Sequence, residues 1–456
     1  MDDRKGSRTI IFGATVVTMS PQKQLLNNGF LIIEGGMFSS IGEGSAYKDL
    51  VTENSAVIDA EGKFIYPGLI NTHTHIFQTL LRGVGQDLPV WQWFEQVLDP
   101  TVVALTPEDA YLSAKLGAVE AIKSGTTTIL DYNYPHPFPG MAEETIRAFQ
   151  EVGIRSILAR GIIDTGHVHK KIIHSTRDEL EACEQLLIQY HHKDNDMVRI
   201  WLAPYAVFST SKEAFIQSKE MAANYDTWLT VHAATPSSIE SSIRLYGVED
   251  AVFENDIGFL GPNVLAVHCC GPLSDQVMNI LRDRDVKISH NPVSNAYLGE
   301  GIAPISAMLK KGIHVSIATD GPASNNNQDM VSALKYTALL QKVSHLDPSV
   351  ISAEKVLEMA TIEGAKCIGM EGLIGSIEVG KRADLFILNP WMSNTVVFHD
   401  PIGCLVYSAT PENIETVIVN GEIIMDKREV CTVDEKETMV KADFAAKKLL
   451  KRAKIA

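Results

Sequence analysis

Eight short apolar runs, separated by helix-like stretches, constrain the fold of this chain more than any other feature. They are PGLINTHTH (67–75), TTTILDY (126–132), RSILARGI (155–162), VRIWLAPYAV (198–207), TWLTVHAA (227–234), NVLAVHCC (263–270), VKISHNP (286–292) and HVSIATDG (314–321). Amphipathic stretches such as PEDAYLSAKLGAVEAIKSG and EETIRAFQEVG lie between them. Strands that alternate with helices form βα units and a parallel sheet, and eight such units close a barrel. No GxGxxG follows any run, which removes the main signal for a doubly wound dinucleotide fold. The expected class is α/β, with a (β/α)8 TIM-type barrel.

The two chain ends have a different pattern. TIIFGATVVTM, GFLIIEGGMFSSIG and SAVIDAEGKFIYPG near the start, and GKRADLFILN and IETVIVNGEIIMDKREV near the end, are β-branched runs broken by Gly and Asn. Residues 1–66 and 376–432 are therefore expected to form one composite β-sandwich. The barrel is expected over 67–375, and a solvated amphipathic helix over 433–456.

The chain is long enough for a large core, with 456 residues of which 45% are hydrophobic. Its net charge of −16 argues against nucleic acid or anionic lipid as a partner. No run reaches the ~18 apolar residues of a membrane span, and the start lacks the pattern of a secretory signal. The six cysteines, Cys183, Cys269, Cys270, Cys367, Cys404 and Cys431, have no framework spacing and read as reduced thiols. A cytoplasmic homo-oligomer acting on a small molecule is the expectation.

The chemistry sits where the runs end. In a barrel, the C-terminal ends of the strands form the active-site rim. His73 and His75 share one face of an extended strand and can share a metal. Three more runs end in His232, in His268 and in Asp320 followed by Gly321. Imidazole and carboxylate suit zinc or iron, and four run ends of this kind argue for one metal centre.

The segments PGLINTHTH, GTTTILDY, VHAA, AVHCC, SHNPVSNAYLGEG, IATDG and GSIEVGKRADLFIL are similar to those of the amidohydrolase superfamily along nearly the whole chain. LLRGVGQDLPVWQWFEQVLDP and VSNAYLGEGIAPI resemble one branch more narrowly. That branch holds S-adenosylhomocysteine/methylthioadenosine deaminases, guanine deaminases and triazine hydrolases of the atrazine chlorohydrolase type. The resemblance implies one divalent metal, zinc or iron, held by His73, His75, His232 and Asp320. It implies a metal-bound hydroxide attacking an sp² carbon and releasing an amine or similar group from a nucleobase- or triazine-like ring. It also implies catalytic roles for Asp320, as metal ligand and acceptor of the water proton, and for His268, beside the substrate. No lysine ends TTTILDY or VRIWLAPYAV, so one metal is expected rather than a lysine-bridged pair.

One position departs from that branch. Its deaminases carry a glutamate three residues after the strand-5 histidine, which protonates a ring nitrogen. Here the run is His232-Ala233-Ala234-Thr235, and threonine is no acid at neutral pH. Three readings follow. The substrate is an amide, urea or carbamate-type bond that needs no ring protonation; or another group such as His268 or His290 carries the proton; or the barrel is catalytically silent and binds without turnover. Trp91, Trp93, Thr235, His290 and Asn295 are the candidate substrate contacts. Phe94, Arg82 and the run Asn325–Asn327 are secondary ones, and Cys269 and Cys270 read as packing.

Overall fold

The structure is a computed structural model and describes residues 8–166, 168–192 and 196–455. Residues 1–7 of the expected sandwich segment and residue 456 of the expected helix lie outside the described residues. Five strands come first: β1 (Thr9–Val17), β2 (Leu25–Glu34), β3 (Met37–Glu43), β4 (Ala56–Asp59) and β5 (Phe64–Pro67). Eight follow, each within one of the apolar runs or one residue beyond it. These are β6 (Leu69–Thr74), β7 (Thr126–Asn133), β8 (Arg155–Ile162), β9 (Val198–Pro204), β10 (Leu229–Ala233), β11 (Val264–His268), β12 (Lys287–His290) and β13 (Val315–Ile317). The chain ends with β14 (Leu385–Leu388), β15 (Ile414–Val419), β16 (Glu422–Asp426), β17 (Glu429–Val430) and a helix over Glu435–Ala453.

Strands β6 to β13 form one parallel sheet in chain order. Their apolar positions are buried almost without exception, as expected for a sheet covered on both faces. Side chains and one main-chain bond close the edge between β13 and β6. Asn71 Nδ2 donates to Thr319 Oγ1 at 2.8 Å, the Thr319 N–H donates to Asn71 Oδ1 at 3.1 Å, and the Asp320 N–H reaches the His73 carbonyl at 3.1 Å. Beneath them, Thr72 Oγ1 lies 2.8 Å from both Ser289 Oγ and Ser316 Oγ. Small hydroxyl side chains thus fill the barrel where His73 needs room above.

The chain ends meet as expected. Strand β14 lies antiparallel to β5 and pairs Phe386 with Tyr66 and Ile387 with Ile65. One nine-stranded sheet results, in the order β17-β16-β15-β14-β5-β1-β2-β3 with β4 beside β1. It curls over a shared core in which Ile11, Leu31 and Phe38 from one end pack with Leu385, Ile387 and Ile418 from the other. The curl brings two hairpin turns together. A Cβ built on Gly421 would lie 2.6 Å from the Gly36 Cα, so only glycine fits this crossing. Arg155 on β8 ties sheet to barrel through Asp384, with Nε–Oδ2 at 2.9 Å and Nη2–Oδ1 at 3.0 Å, both side chains fully buried.

The terminal helix differs from the solvated element expected. It buries Thr438, Ala442, Ala445, Leu449 and Ala453 and packs along the Pro107–Lys123 helix. Its ends are tied by Lys123 Nζ to Glu435 at 2.8 Å and by an Arg452–Asp109 ion pair. Its small buried residues let the two helices approach closely.

Candidate active site

The five rim residues converge at the C-terminal mouth of the barrel. Ring centroids lie 4.7 Å apart for His73 and His75, 5.2 Å for His75 and His232, and 5.5 Å for His232 and His268. Asp320 Oδ1 is 3.2 Å from His73 Nε2 and 3.6 Å from His75 Nε2. His73, His75 and His232 form one group able to hold a single ion, and His73, His268 and Asp320 form an overlapping one.

The backbone at the strand ends aims these groups. Ala234, His268, Cys269 and Asp320 all have positive φ, between 46° and 73°. Such conformations cost about 1–3 kcal/mol each in residues other than glycine and persist only where neighbours impose them. Here the neighbours are specific. Asp250 Oδ2 accepts the Ala234 N–H at 2.6 Å, the Ala233 carbonyl accepts from Cys269 at 3.1 Å, and Asp320 Oδ1 accepts from Gly321 at 2.7 Å. A Cβ at Gly321 would lie 2.0 Å from Gln78 Oε1, so a larger residue there would have to displace the Gln78 amide.

The tautomers follow from the acceptors. His75 Nδ1 lies 2.8 Å from the Tyr132 carbonyl and His232 Nδ1 lies 3.0 Å from the Tyr205 carbonyl. A carbonyl only accepts, so both Nδ1 atoms carry the proton. The two Nε2 atoms therefore present bare lone pairs to each other, 3.2 Å apart. Two facing lone pairs beside a carboxylate repel unless a cation lies between them. Around a tetrahedral zinc with bonds of ~2.1 Å, ligand nitrogens are ~3.4 Å apart, so the donor set fits a divalent ion.

The charge states agree with that fit. Burial pushes His73 and His232 below the ordinary imidazole value and His75 down to about 3, so all three are neutral ligands at pH 7. Burial alone would raise the Asp320 carboxyl. The hydrogen bond to His73, and the pull of the His73, His268 and His75 imidazoles in their protonated form, outweigh it and hold Asp320 well below the usual range. Asp320 Oδ2 also accepts from Ser294 Oγ at 2.5 Å and Ser324 Oγ at 3.1 Å, two outer contacts that orient the carboxylate.

Above the mouth is a cleft with Trp93, Phe94, Tyr134, Tyr205 and Phe208 as aromatic walls. Thr235, His268, Asn295 and Asp320 also line it. Phe94–Leu98 is a wide π-turn that follows the short helix Val90–Trp93, a distortion frequent near functional sites. Two expected contacts lie elsewhere. Trp91 is half exposed and borders a separate outer cavity that shares Phe94 and Phe208. His290 is fully buried and outside the cleft lining; burial pushes it down to about 3, and neither ring nitrogen has a hydrogen-bond partner among the described residues. His290 is the last residue of the short strand β12, and its burial sets it apart from the residues that line the cleft.

Thr235 has a structural duty. It is the N-cap of the Pro236–Tyr246 helix, its Oγ1 accepting the Ser238 N–H at 3.1 Å. Arg82 pairs with Glu120, and Asn326 accepts the Gly83 N–H at 2.9 Å, so both serve loop structure. Cys269 and Cys270 are buried, and burial pushes both thiols well up. No lysine lines the cleft among the described residues. Sequence reasoning missed Gln78, Ser294, Ser324 and Glu300, all at or beside the cleft. Glu300 is the one acidic residue of SHNPVSNAYLGEGIAPI, which is the signal that could have found it.

The amidohydrolase family profile matches residues 64–424, most of the chain and all eight barrel strands. The chain belongs to the amidohydrolase family. It is 37% identical over 446 residues to a 5'-deoxyadenosine deaminase of Methanosarcina acetivorans, covering 97% of this chain and 99% of that one. It is 35% identical to a 5-methylthioadenosine/S-adenosylhomocysteine deaminase of Thermoanaerobacter pseudethanolicus, with the same coverage. Among solved structures it resembles an adenosine deaminase from Xanthomonas campestris with bound zinc (TM-score 0.90, 25% identity, 99% of both chains). It also resembles an atrazine chlorohydrolase from Arthrobacter aurescens with zinc (TM-score 0.91, 27% identity, 96% of this chain and 100% of that one). For this member of the family a divalent metal at the rim cluster follows from the donor set and from these neighbours.

Proposed function

We propose that this amidohydrolase hydrolyses an amino-bearing carbon of a nucleobase- or triazine-like heterocycle and releases ammonia or an amine. The observation that carries the reading is the pair of bare Nε2 atoms of His75 and His232, 3.2 Å apart beside Asp320, under a cleft walled by aromatic side chains. His73, His75, His232 and Asp320 would hold one ion, zinc in preference to iron, because neutral imidazoles with one carboxylate suit it and similar structures carry zinc. When bound, such an ion lowers the pKa of a water from 15.7 toward 7 and polarises the group it touches.

The protein's own groups do the rest. The aromatic walls hold the ring flat and exclude water. Asp320, held by Ser294 and Ser324, takes a proton from the attacking water. His268 donates its Nδ1–H to Asn295 Oδ1 at 2.9 Å, which leaves Nε2 as the nitrogen offered to the substrate. The amide, urea or carbamate reading is not favoured, because the similar proteins are deaminases and triazine hydrolases. A silent scaffold is not favoured either, since the ligand set is intact.

The barrel over 67–375 is read as the catalytic unit, with 1–66 and 376–432 as the second unit and 433–456 as an appended helix. A cytoplasmic setting is supported by six free thiols, five of them buried. No helix among the described residues is long and apolar enough to cross a membrane. Homo-oligomerisation is supported by Tyr336, Leu339, Val343 and Leu346, an exposed apolar stripe on and just beyond the Met330–His345 helix. A screen of aminopurines, aminopterins and aminotriazines for ammonia release, with elemental analysis, tests the central reading. About one metal per chain and turnover of at least one ring are expected. Full activity in Asp320→Asn would overturn the assignment of the base.

A further inference from the structure

Three carboxylate candidates could replace the acid absent at position 235. Asp131 is enclosed by the Ile76 N–H and Asn133. Glu254 is buried beneath the rim with neither oxygen bonded among the described residues, and it does not reach the cleft. Only Glu300 lines the cleft together with Asp320.

We propose that Glu300 is the proton carrier of this active site, delivering to the heterocycle the proton that position 235 cannot supply. The inference rests on the amino-heterocycle reading above. Asp320 is already engaged in the reading above as acceptor of the water proton, and Thr235 Oγ1 is occupied by its helix cap. Glu300 Oε2 is buried and has no hydrogen-bond partner among the described residues. An unpaired buried carboxylate oxygen costs several kcal/mol unless something else meets it. A ring nitrogen of the bound substrate, accepting from the protonated carboxyl, would.

The loop fixes where that oxygen sits. The Glu300 N–H donates to the Asn295 carbonyl at 2.9 Å. Gly301 has φ +109°, and a Cβ there would lie 2.9 Å from the Cys270 carbonyl, so the loop is pressed against the end of β11. Two titratable groups face Glu300: His268, whose charge acts on it, and Cys270, whose thiol it pushes up. Asp320 and His232 share the cleft. Burial raises the Glu300 carboxyl above its ordinary value against the opposing effect of His268, which favours the protonated form a donor needs.

The proposed step balances. Water forms a C–O bond to the amino-bearing carbon and passes one proton to Asp320, while Glu300 gives its proton to the adjacent ring nitrogen. The C–N bond then breaks, and the amine leaves with the proton from Asp320. The new hydroxyl returns its proton to Glu300, leaving a ring carbonyl beside a ring N–H.

The test compares full-length wild type, Glu300→Gln, Glu300→Asp and the double variant Thr235→Glu/Glu300→Gln, using ammonia release from the heterocycle panel across pH. Glu300→Gln should lower kcat by about 10²–10⁴-fold, the range of general acid–base catalysis, with KM within about 3-fold. It should also remove the basic limb of the kcat/KM profile. Metal per chain should stay unchanged by elemental analysis, Glu300→Asp should keep part of the rate, and the double variant should regain at least ~10-fold. If Glu300→Gln keeps kcat and both limbs, or changes KM alone, the assignment is overturned while the function stands. If the wild type turns over no ring in the panel, function and assignment fall together.

Discussion

His75 and His232 meet Nε2 to Nε2 at 3.2 Å, each with its other nitrogen donating to the carbonyl of a tyrosine, Tyr132 or Tyr205. These tyrosines belong to the aromatic shell around the imidazoles, the Tyr132 ring tilted against the His232 ring at 4.4 Å and the Tyr205 ring edge-on to it at 5.0 Å. The ring orientation is therefore built into the backbone of β7 and the end of β9, before any ion arrives.

A direct consequence concerns metal content. Loss of an outer contact to a metal ligand typically costs 10–100-fold in affinity or activity, and loss of a ligand should cost more. His232→Ala should fall from about one metal per chain to well below half after dialysis, while circular dichroism remains that of the folded barrel. Plasma emission spectrometry on the dialysed protein checks this, and an unchanged stoichiometry would refute it.

Thr235 should matter more for folding than for chemistry. Its Oγ1 caps the Pro236–Tyr246 helix, and N-cap removal costs about 0.5–2 kcal/mol. Thr235→Ala should show that loss in urea unfolding with kcat changed by no more than a few-fold. A drop in kcat of about 100-fold with unchanged stability would give the hydroxyl a chemical role.

The Arg155–Asp384 pair is a joint between barrel and sheet. Asp384 Oδ1 also accepts the Asn420 N–H at 2.6 Å, so one carboxylate satisfies three donor groups. Removing one partner of a buried pair leaves the other charge unmet and costs about 3–5 kcal/mol. Asp384→Ala should lose that much in denaturant unfolding. The apolar double replacement Arg155→Met/Asp384→Leu should lose less than the single variant.

Asp250 predicts a pH effect on stability. Burial raises its carboxyl to about 6, against the backbone N–H groups of Ala234 and Ala251, from an ordinary value of 3.8. An acid raised on folding binds more protons in the native state between those values, so its contribution falls as pH rises from about 4 to 6. Asp250→Asn keeps an acceptor for the Ala234 N–H and does not ionise. The variant should gain on wild type by a few kcal/mol between pH 4 and 7, read by urea unfolding at both. A difference independent of pH would show that Asp250 is not raised.

The eight barrel strands and the joined chain ends were legible because their signals are local. TWLTVHAA and NVLAVHCC each carry a strand and its terminal ligand in one run, and strand period two places His73 and His75 on one face. Ligand types at run ends, and the resemblance of their order, pointed to a metal before any distance was known. What tertiary structure decided depends on contacts far apart in sequence. The His75 and His232 tautomers are set by carbonyls 57 and 27 residues away. His290 is buried and Trp91 half exposed, both outside the cleft lining, which no periodicity records. Glu300 is a loop residue with no repeating pattern around it, and the packing of its loop against the end of β11 places it in the cleft lining. Local chemistry is written along the chain, whereas burial and orientation arise only when distant segments close around one another.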